Sequence, residues 1–317
     1  MPPFKRNGRM WFKHCHLYRC HDVEILPLED LETALAEFAF RPVSPREARR
    51  VGWSAPAGNR SEQRAHEIQG HRLLAMLRQE RLLPAAVINE EVNERREARE
   101  QAEGQPLTRR ERQLLKEQVM EELLPQAFTR TQRVELWWDT RRHLIGINAS
   151  SRKRAEEVLD LLRQTLGSLK VTPLTTKTPP AKGMTQWLSD ASSRPASLLL
   201  GDQVELRAAE DDGVLRARQV DLDSEEIQSL LENGRQASRL SLGSEGQLRT
   251  VLHDDLALKS LAFDDALLDE ASQSEDGDDP AVRLETDFAL MSQTLATFVE
   301  QLLEWLGGEA DPATPTP

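Results

Sequence analysis

The chain has 317 residues, of which 38% are hydrophobic and 30% charged, and its net charge is −12. So much charge and so little apolar material indicate a large surface relative to the core, as in an elongated or open shape, and the length suffices for two or more folded units. No apolar run reaches the roughly 18 residues of a membrane span, and two cysteines do not make a disulfide framework. The basic start, MPPFKRNGR, lacks the apolar core of a secretion signal, so we expect a cytoplasmic protein.

The charge is distributed unevenly along the chain. Residues 1–170 contain 30 basic and 25 acidic residues, whereas residues 171–317 contain 11 basic and 28 acidic residues. The acidity is greatest in residues 264–311, which hold 14 acidic residues and a single base, Arg283. A locally basic surface on an acidic protein remains compatible with nucleic-acid binding.

The first half predicts strands, hairpins and two consecutive charged helices. The predicted elements are a strand in residues 10–20, an amphipathic helix in 28–40 stopped by Pro42, a loop around Gly52-Trp53, a hairpin of residues 65–68 and 73–77 around Gln69-Gly70, and a polar helix from Pro84 to Glu103. Gly104-Gln105-Pro106 separates that helix from the next. Two charged helices joined by a short loop are typical of a projecting helical hairpin.

The second of these helices begins at Thr108, which with Glu111 is predicted to form a capping box. Its apolar stripe is predicted to contain Leu107, Leu114, Leu115 and Val119. Its basic residues follow helical spacing and share a neighbouring face; they are Arg109, Arg112 and Lys116. This basic face has two interpretations, a solvated helix surface or an anion-binding surface.

Pro125 disfavours continued helix, and Phe128 follows it, with Arg130 and Arg133 close behind. An aromatic residue at the end of an element most often fills the core of its own chain. The alternative is an aromatic used in an interface with another subunit.

The second half predicts further hairpins and helices. The predicted elements are a hairpin of residues 134–139 and 143–149 around Thr140-Arg141-Arg142, a helix in 151–167, a strand in 169–174, a linker in 175–183, a hairpin of 204–208 and 214–220 around Asp211-Asp212-Gly213, a helix in 225–233, strands in 237–242 and 248–252, a flexible acidic loop in 272–280, and a helix in 281–306. Strands in hairpins and helices in separate runs favour an α+β fold with antiparallel sheets over a doubly wound parallel fold.

These elements suggest a division into successive regions. They are an N-terminal extension (1–9), an N-terminal α+β region (10–80), the projecting charged helical hairpin (81–130), a β-hairpin plus helix (131–175), a second α+β region with a basic hairpin (176–263), an acidic loop and C-terminal helix (264–309), and a tail (310–317). We expect both ends to be disordered.

The sequence offers no catalytic constellation. Five potential zinc ligands crowd near the N-terminus: His14, Cys15, His16, Cys20 and His21. Side chains on a strand alternate between its faces, so four of these cannot converge tetrahedrally on one ion from a straight strand. The acidic pairs Asp254-Asp255 and Asp264-Asp265 resemble nuclease metal ligands, but nothing basic is spaced to serve them. We therefore expect neither an enzyme nor a metal or cofactor site.

Basic residues stand out in the acidic half. Arg216 and Arg218 lie two apart on the outgoing strand of the 204–220 hairpin, followed by Gln219, while Arg235 and Arg239 follow the next helix. Contact with phosphate is one interpretation, and ion pairing with Glu225 or Glu226 is the other. Without a base-reading motif, any nucleic-acid binding should be directed to the backbone and tolerant of sequence.

Short motifs spread over residues 10–309 resemble those of the recombination-associated protein RdgC family. They are Met10-Trp11-Phe12-Lys13, Tyr18-Arg19, Ala39-Phe40-Arg41-Pro42, Gly52-Trp53, Leu82-Leu83-Pro84, Leu123-Leu124-Pro125-Gln126-Ala127-Phe128, residues 155–169, Met184 with Trp187, Ser224-Glu225-Glu226-Ile227, Asp287-Phe288-Ala289-Leu290-Met291 and Leu306-Gly307-Gly308-Glu309. Where relatives tend to be lysine-rich between the two charged helices, this chain has Gly104-Gln105-Pro106.

The resemblance implies a non-enzymatic bacterial protein without a cofactor. Its subunits would form a ring-shaped homodimer that encircles duplex DNA, binds single-stranded DNA without sequence specificity, associates with the nucleoid and restrains the RecA recombinase. The family's interface aromatic matches Phe128, and its basic hairpin and the basic residue after the next helix match Arg216, Arg218, Gln219 and Arg235. Two alternatives remain open, a scaffold that acts on RecA directly with incidental DNA affinity, and a metal-dependent nuclease.

Overall fold

The computed structural model describes residues 11–21, 25–58, 61–208, 213–273 and 280–310. The strands are β1 (His14–Cys20), β2 (Arg49–Ser54), β3 (Ala65–Ile68), β4 (His71–Arg81), β5 (Thr129–Asp139), β6 (Leu144–Ile147), β7 (Val171–Pro173), β8 (Leu198–Arg207), β9 (Val214–Arg218), β10 (Gln236–Ser244), β11 (Leu248–His253) and β12 (Leu258–Phe263). The helices are α1 (Leu28–Glu37), α2 (Ala85–Glu103), α3 (Arg109–Leu123), α4 (Arg152–Leu166), α5 (Pro180–Ser189), α6 (Glu225–Glu232), α7 (Asp265–Gln273) and α8 (Pro280–Trp305).

The described strands form one twelve-stranded sheet in the order β2-β4-β5-β6-β1-β12-β11-β10-β8-β9, with β3 on β4 and β7 on β1. Their pairings are antiparallel. β1 connects the two halves, since it pairs with β6 over His16–Arg19 and with β12 at His14 and Cys15. The α+β class with antiparallel strands, predicted from the sequence, is confirmed.

Two apolar cores lie against this sheet. In the N-terminal half, α1 and α4 cover strands through residues such as Leu31 and Val158. In the C-terminal half, α5, α6 and α8 pack against β8, β10 and β11. Phe288 and Phe298 of α8 are fully buried there, in the same cluster as Trp137 of β5. α8 therefore contributes to a core that includes residues from both halves of the sheet.

Helices α2 and α3 share a smaller core of their own, formed by Ile88, Leu107, Leu115 and Val119. The predicted capping box is confirmed, because the Thr108 hydroxyl accepts from the backbone N–H of Glu111 and the Glu111 carboxylate accepts from that of Thr108. The inclusion of Leu114 in the apolar stripe is wrong, since its side chain is 55% exposed. Adjacent helical residues point about 100° apart, and α3 buries only a narrow face against α2.

Two expectations about local structure are corrected. Gly52-Trp53 lies in strand β2 and not in a loop. A Cβ on Gly52 would lie 2.5 Å from the Cα of Phe40, so this close approach of two backbone segments requires glycine. The expected linker at 175–183 runs into α5, which starts at Pro180 and buries Met184 and Trp187. Strand β12 and helix α7 were not predicted.

Several expectations concern residues outside the described ranges: the extension at 1–9, the turn residues Asp211-Asp212, positions 274–279 of the acidic loop, and the tail from 311 onward. Within the described residues, no helix is both long and apolar enough to cross a membrane.

Candidate nucleic-acid interface

The predicted phosphate-binding arginines lie on one face of the C-terminal sheet. Along β8, Val204 and Leu206 belong to the apolar core, so alternation turns Glu205 to the opposite face. The antiparallel register places Arg216 of β9 and Arg239 of β10 on either side of Glu205. The sheet thus brings together basic residues that are far apart in the sequence.

Glu205 is the centre of this cluster and is only 3% exposed. Its Oε2 accepts a hydrogen bond from Arg216 Nε at 2.7 Å and lies 3.2 Å from Arg239 Nη1. Its Oε1 accepts hydrogen bonds from Arg207 Nη2 at 3.2 Å and from Ser238 Oγ at 2.8 Å. Burial alone would raise the pKa of the Glu205 carboxyl, but these donors and cations outweigh it and lower the pKa to about 2. Glu205 is therefore ionised at neutral pH.

Two carboxylates, Glu205 and the Asp254 that lies 3.6 Å from Arg207, cannot neutralise three guanidinium groups, so the cluster keeps a net positive charge. Each guanidinium has five N–H donors, and the bond from Arg216 to Glu205 uses only its Nε–H. The Arg216 side chain is 62% exposed. Its outer donors are therefore held in place and face solvent, which suits an anionic ligand.

The remaining predicted residues of this region surround the end of the hairpin. Arg218 pairs across the strands with Gln203, is exposed, and has no ion-pair partner among the described residues. Gln219 follows with a φ of 56°, at the point where β9 ends. Arg235 Nη1 donates to the carbonyl of Gly213 at 3.3 Å, which ties this arginine to the same hairpin.

The ion pairs in this cluster differ from those considered from the sequence. In the described part of the chain, neither Glu225 nor Glu226 pairs with Arg216, Arg218 or Arg235. The carboxylate that binds Arg216 is that of Glu205. No local pattern in the sequence marks Glu205, because the arginines that it binds lie on β8, β9 and β10 and meet only when the strands pair.

Arg109, Arg112 and Lys116 are exposed on α3 and form no ion pair with any described residue. Three acidic side chains of this helix have other partners: Glu111 caps α3, Glu117 accepts from Gln113 Nε2 at 2.8 Å, and Glu122 binds Arg95 of α2 at 2.6 Å. No hydrogen bond or ion pair in the described ranges connects these three residues with the arginines of β9, so α3 forms a second basic surface.

Phe128 follows a 3₁₀ turn (Leu124–Gln126) and precedes β5. Its side chain is 85% exposed, so the interpretation that it fills the core of its own chain is wrong. Its backbone is held firmly, since its carbonyl accepts from Leu82 N–H at 2.7 Å, and Arg81 Nη1 donates to the carbonyls of Pro125 and Ala127 at 3.1 Å. Leu82 is also exposed, so the two form an apolar surface at the start of β5.

The histidine and cysteine cluster around β1 has structural contacts. His16 Nε2 lies 2.6 Å from Lys259 Nζ, and His21 Nε2 lies 2.8 Å from Thr172 Oγ1. Cys15 and Cys20 are buried, and burial raises the pKa of the Cys15 thiol to about 12. Within the described residues, no three His, Cys, Asp or Glu side chains are grouped so that they could hold a metal ion.

One aspartate of each acidic pair stabilises a turn or a helix start. Asp255 Oδ1 accepts from the N–H of Ala257 at 3.1 Å, and Asp264 Oδ1 accepts from that of Ala266 at 3.0 Å. Such bonds are typical of aspartates at turns and helix starts.

Comparison with known proteins places these features in a family. The family profile described as "Putative exonuclease, RdgC" matches residues 10–309. A protein from Aeromonas hydrophila named recombination-associated protein RdgC is 38% identical over 301 residues, which cover 95% of this chain and 99% of that protein. Proteins of the same name from Yersinia pestis and Yersinia pseudotuberculosis are 37% identical over 302 residues, with the same coverage. The chain therefore belongs to the RdgC family of recombination-associated proteins.

Proposed function

We propose that this protein binds DNA without sequence specificity, as a ring-shaped homodimer that encircles the duplex, and that it restrains RecA-mediated recombination by occupying DNA. It binds single-stranded DNA as well, and it carries out no chemistry on either substrate. Association with the nucleoid follows from such binding. The proposal rests on the family to which the chain belongs and on the basic surfaces described above.

The observation that carries DNA binding is the arginine cluster of the C-terminal sheet. This half of the chain is strongly acidic, yet Arg207, Arg216 and Arg239 converge on the single carboxylate of Glu205. Guanidinium groups with unused donors are well suited to phosphate oxygens. Because phosphates are the same at every step of the duplex, contacts of this kind give affinity without sequence preference.

Encirclement by a dimer accounts for the combination of local basic surfaces and net acidity. In a ring, only the inner surface needs to attract phosphate, while the acidic exterior repels other DNA and favours solubility. Phe128 supports a subunit contact at the base of the α2–α3 pair, because a large exposed aromatic on a well-fixed backbone is typical of interface anchors. In this arrangement, α2 and α3 project towards the second subunit, and Arg109, Arg112 and Lys116 of α3 contribute to the DNA-facing surface.

The test of DNA binding is the salt dependence of affinity for a short duplex, measured by fluorescence anisotropy. Arg216→Ala, Arg218→Ala and Arg235→Ala should each weaken binding to all sequences alike and reduce the slope of log K against log salt by about one unit. An unchanged slope would remove that residue from the interface. A salt-insensitive complex with RecA, formed by a protein that does not bind DNA, would instead support a scaffold that acts on RecA directly.

A nuclease is the second candidate, because the matching family profile carries the word exonuclease in its description. The test is incubation of the protein with linear duplex and single-stranded DNA in the presence of Mg²⁺ or Mn²⁺. We expect no shortened products. Metal-dependent cleavage that copurifies with the protein through successive columns would overturn the non-enzymatic proposal.

A further inference from the structure

The exposed face of the C-terminal sheet contains a pocket of about 160 Å³ beside the arginine cluster. It is lined by Gln203, Val204, Glu205, Arg216, Ala217, Arg218, Arg239, Val251, His253, Lys259 and Ser260. The lining comes from five neighbouring strands, β8 to β12, so the pocket is a property of the sheet and not of one hairpin. Its volume corresponds to a few water molecules, which is enough for one phosphate group.

The charges around the pocket favour an anion. Four of the lining residues are basic (Arg216, Arg218, Arg239 and Lys259), and one is acidic, Glu205. The Glu205 side chain is almost completely buried, whereas Arg216 and Arg239 extend past it to solvent. An incoming anion therefore meets guanidinium donors before it meets the carboxylate.

Lys259 contributes charge and not a hydrogen bond. Its ammonium group lies 2.6 Å from His16 Nε2 and donates to the carbonyls of Ala149 and Ser150 at 3.1 and 3.2 Å, which occupies its three N–H bonds. The donors available to a ligand are thus those of Arg216, Arg218 and Arg239, with the ring of His253 beside them. Asp254 lies at the margin, 3.6 Å from Arg207.

We infer that Glu205, Arg239 and His253 complete, with Arg216 and Arg218, a pocket for one backbone phosphate of a nucleic acid, and that Glu205 is the residue that positions the arginines. The inference rests on the proposed DNA binding and extends it from the hairpin to the sheet face. Glu205 acts by holding Arg216 and Arg239 from opposite sides through its Oε2. Side chains fixed in this way lose less rotational freedom when they bind phosphate.

Glu205→Gln distinguishes positioning from charge, because the two effects have opposite signs. Removal of a negative charge should strengthen DNA binding and steepen the salt slope if only the net charge matters. If Glu205 positions the arginines, the substitution should weaken binding about tenfold and flatten the slope, since the charge-assisted bonds that fix Arg216 and Arg239 are lost. Glutamine retains an acceptor for Ser238, and thermal unfolding verifies that the variant is folded.

Arg239→Ala is the companion variant, and Arg163→Ala is its matched control. Arg163 is an exposed arginine of α4 that pairs with Asp160, so its removal costs the same charge away from the pocket. We expect Arg239→Ala to reduce the salt slope by about one unit and Arg163→Ala to leave it unchanged. Should Glu205→Gln fail to fold, Glu205→Asp decides the question, because it keeps the charge and shortens the side chain that holds Arg216 and Arg239. Weaker DNA binding by this variant supports positioning, and unchanged binding refutes it.

The same variants are tested with inorganic phosphate, whose binding needs neither DNA nor a dimer. At constant ionic strength, phosphate in place of chloride should raise the melting temperature of the wild type and of Arg163→Ala more than that of Arg239→Ala. Wild-type DNA binding with equal behaviour of Arg239→Ala and Arg163→Ala in both assays would overturn the pocket and leave the proposed function standing. Phosphate binding that depends on Arg239, in a protein with no affinity for DNA, would overturn the proposed function and leave the pocket.

Discussion

Replacement of Phe128 by alanine tests whether this residue closes a ring. Since the side chain is 85% exposed, it contributes little to the stability of its own subunit, and we expect the free energy of unfolding to change by no more than about 0.5 kcal/mol. Burial of a phenylalanine in an interface is worth about 1.5–3 kcal/mol, and a symmetric contact contains it twice. Loss of both side chains should therefore weaken that contact by about 3–6 kcal/mol, or roughly 10²- to 10⁴-fold.

The assay is dissociation of the protein from a circular duplex, which has no ends to slide from. The wild type should remain on the circle far longer than on a linear duplex with free ends, and Phe128→Ala should be released from the circle much faster. The other contacts of the subunits should keep the variant dimeric, and it should inhibit RecA less. Val282→Ala, which truncates another exposed apolar residue, is the control and should behave as the wild type.

Two results would refute this reasoning. A fall of several kcal/mol in subunit stability, with dissociation from the circle unchanged, would show that Phe128 stabilises its own subunit and not a contact between subunits. Equal release of the wild type from circular and open linear duplexes would show that no ring encloses the DNA.

Three further predictions concern stability. Phe298→Ala should lower the free energy of unfolding by about 3–5 kcal/mol in denaturant titrations, because this ring of α8 is fully buried in the core. DNA binding by the folded fraction of the variant should persist. Gly52→Ala should cost about 1–3 kcal/mol in the same titrations, since the new methyl group meets the backbone of Phe40. Burial and the charge of Lys259 lower the pKa of His16 to about 4. Because the unfolded chain binds a proton at His16 more readily than the folded chain, stability should fall as the pH decreases from about 6.5 to 4. His16→Gln, which can still accept a hydrogen bond from Lys259, should reduce that fall in pH-dependent thermal unfolding.

Local patterns predicted those elements whose signals lie within a few residues of one another. The capping box of Thr108 and Glu111 and the hairpin around Gly70 are of this kind, and both are present. Helix α5 escaped prediction because its first turn consists of Pro180, Ala181 and Lys182, which in isolation resemble a linker. Its apolar face is decided by contacts with β10 and with Trp305 of α8, which are remote in the sequence.

The same distinction explains which parts of the candidate interface could be foreseen. Because basic residues are scarce in the acidic half of the chain, the sequence alone indicates candidate phosphate contacts at Arg216, Arg218 and Arg239. Glu205 could not be predicted, because nothing in its neighbouring sequence distinguishes it from the many other glutamates. Its role follows from the pairing of three strands. The sequence alone could not decide whether Phe128 is buried or exposed, since only the tertiary structure shows whether its own chain offers a pocket for the ring.

The pairing of β1 with β12 has a consequence for how the chain is made. Lys259 and His16, which meet at this junction, are 243 positions apart in the sequence. A ribosome must therefore release most of the polypeptide before the first strand can find its partner on that side, and until then β1 presents open backbone groups. Contacts of such long range are formed slowly, because a large loop must close before they stabilise anything. We expect the N-terminal half to fold early through β4, β5 and β6, and the joining of the two half-sheets to be the slow step after synthesis. Truncation of the chain before β12 would leave the edge of β1 open and would remove α8 from the core that contains Trp137, so the fragment should be prone to aggregation.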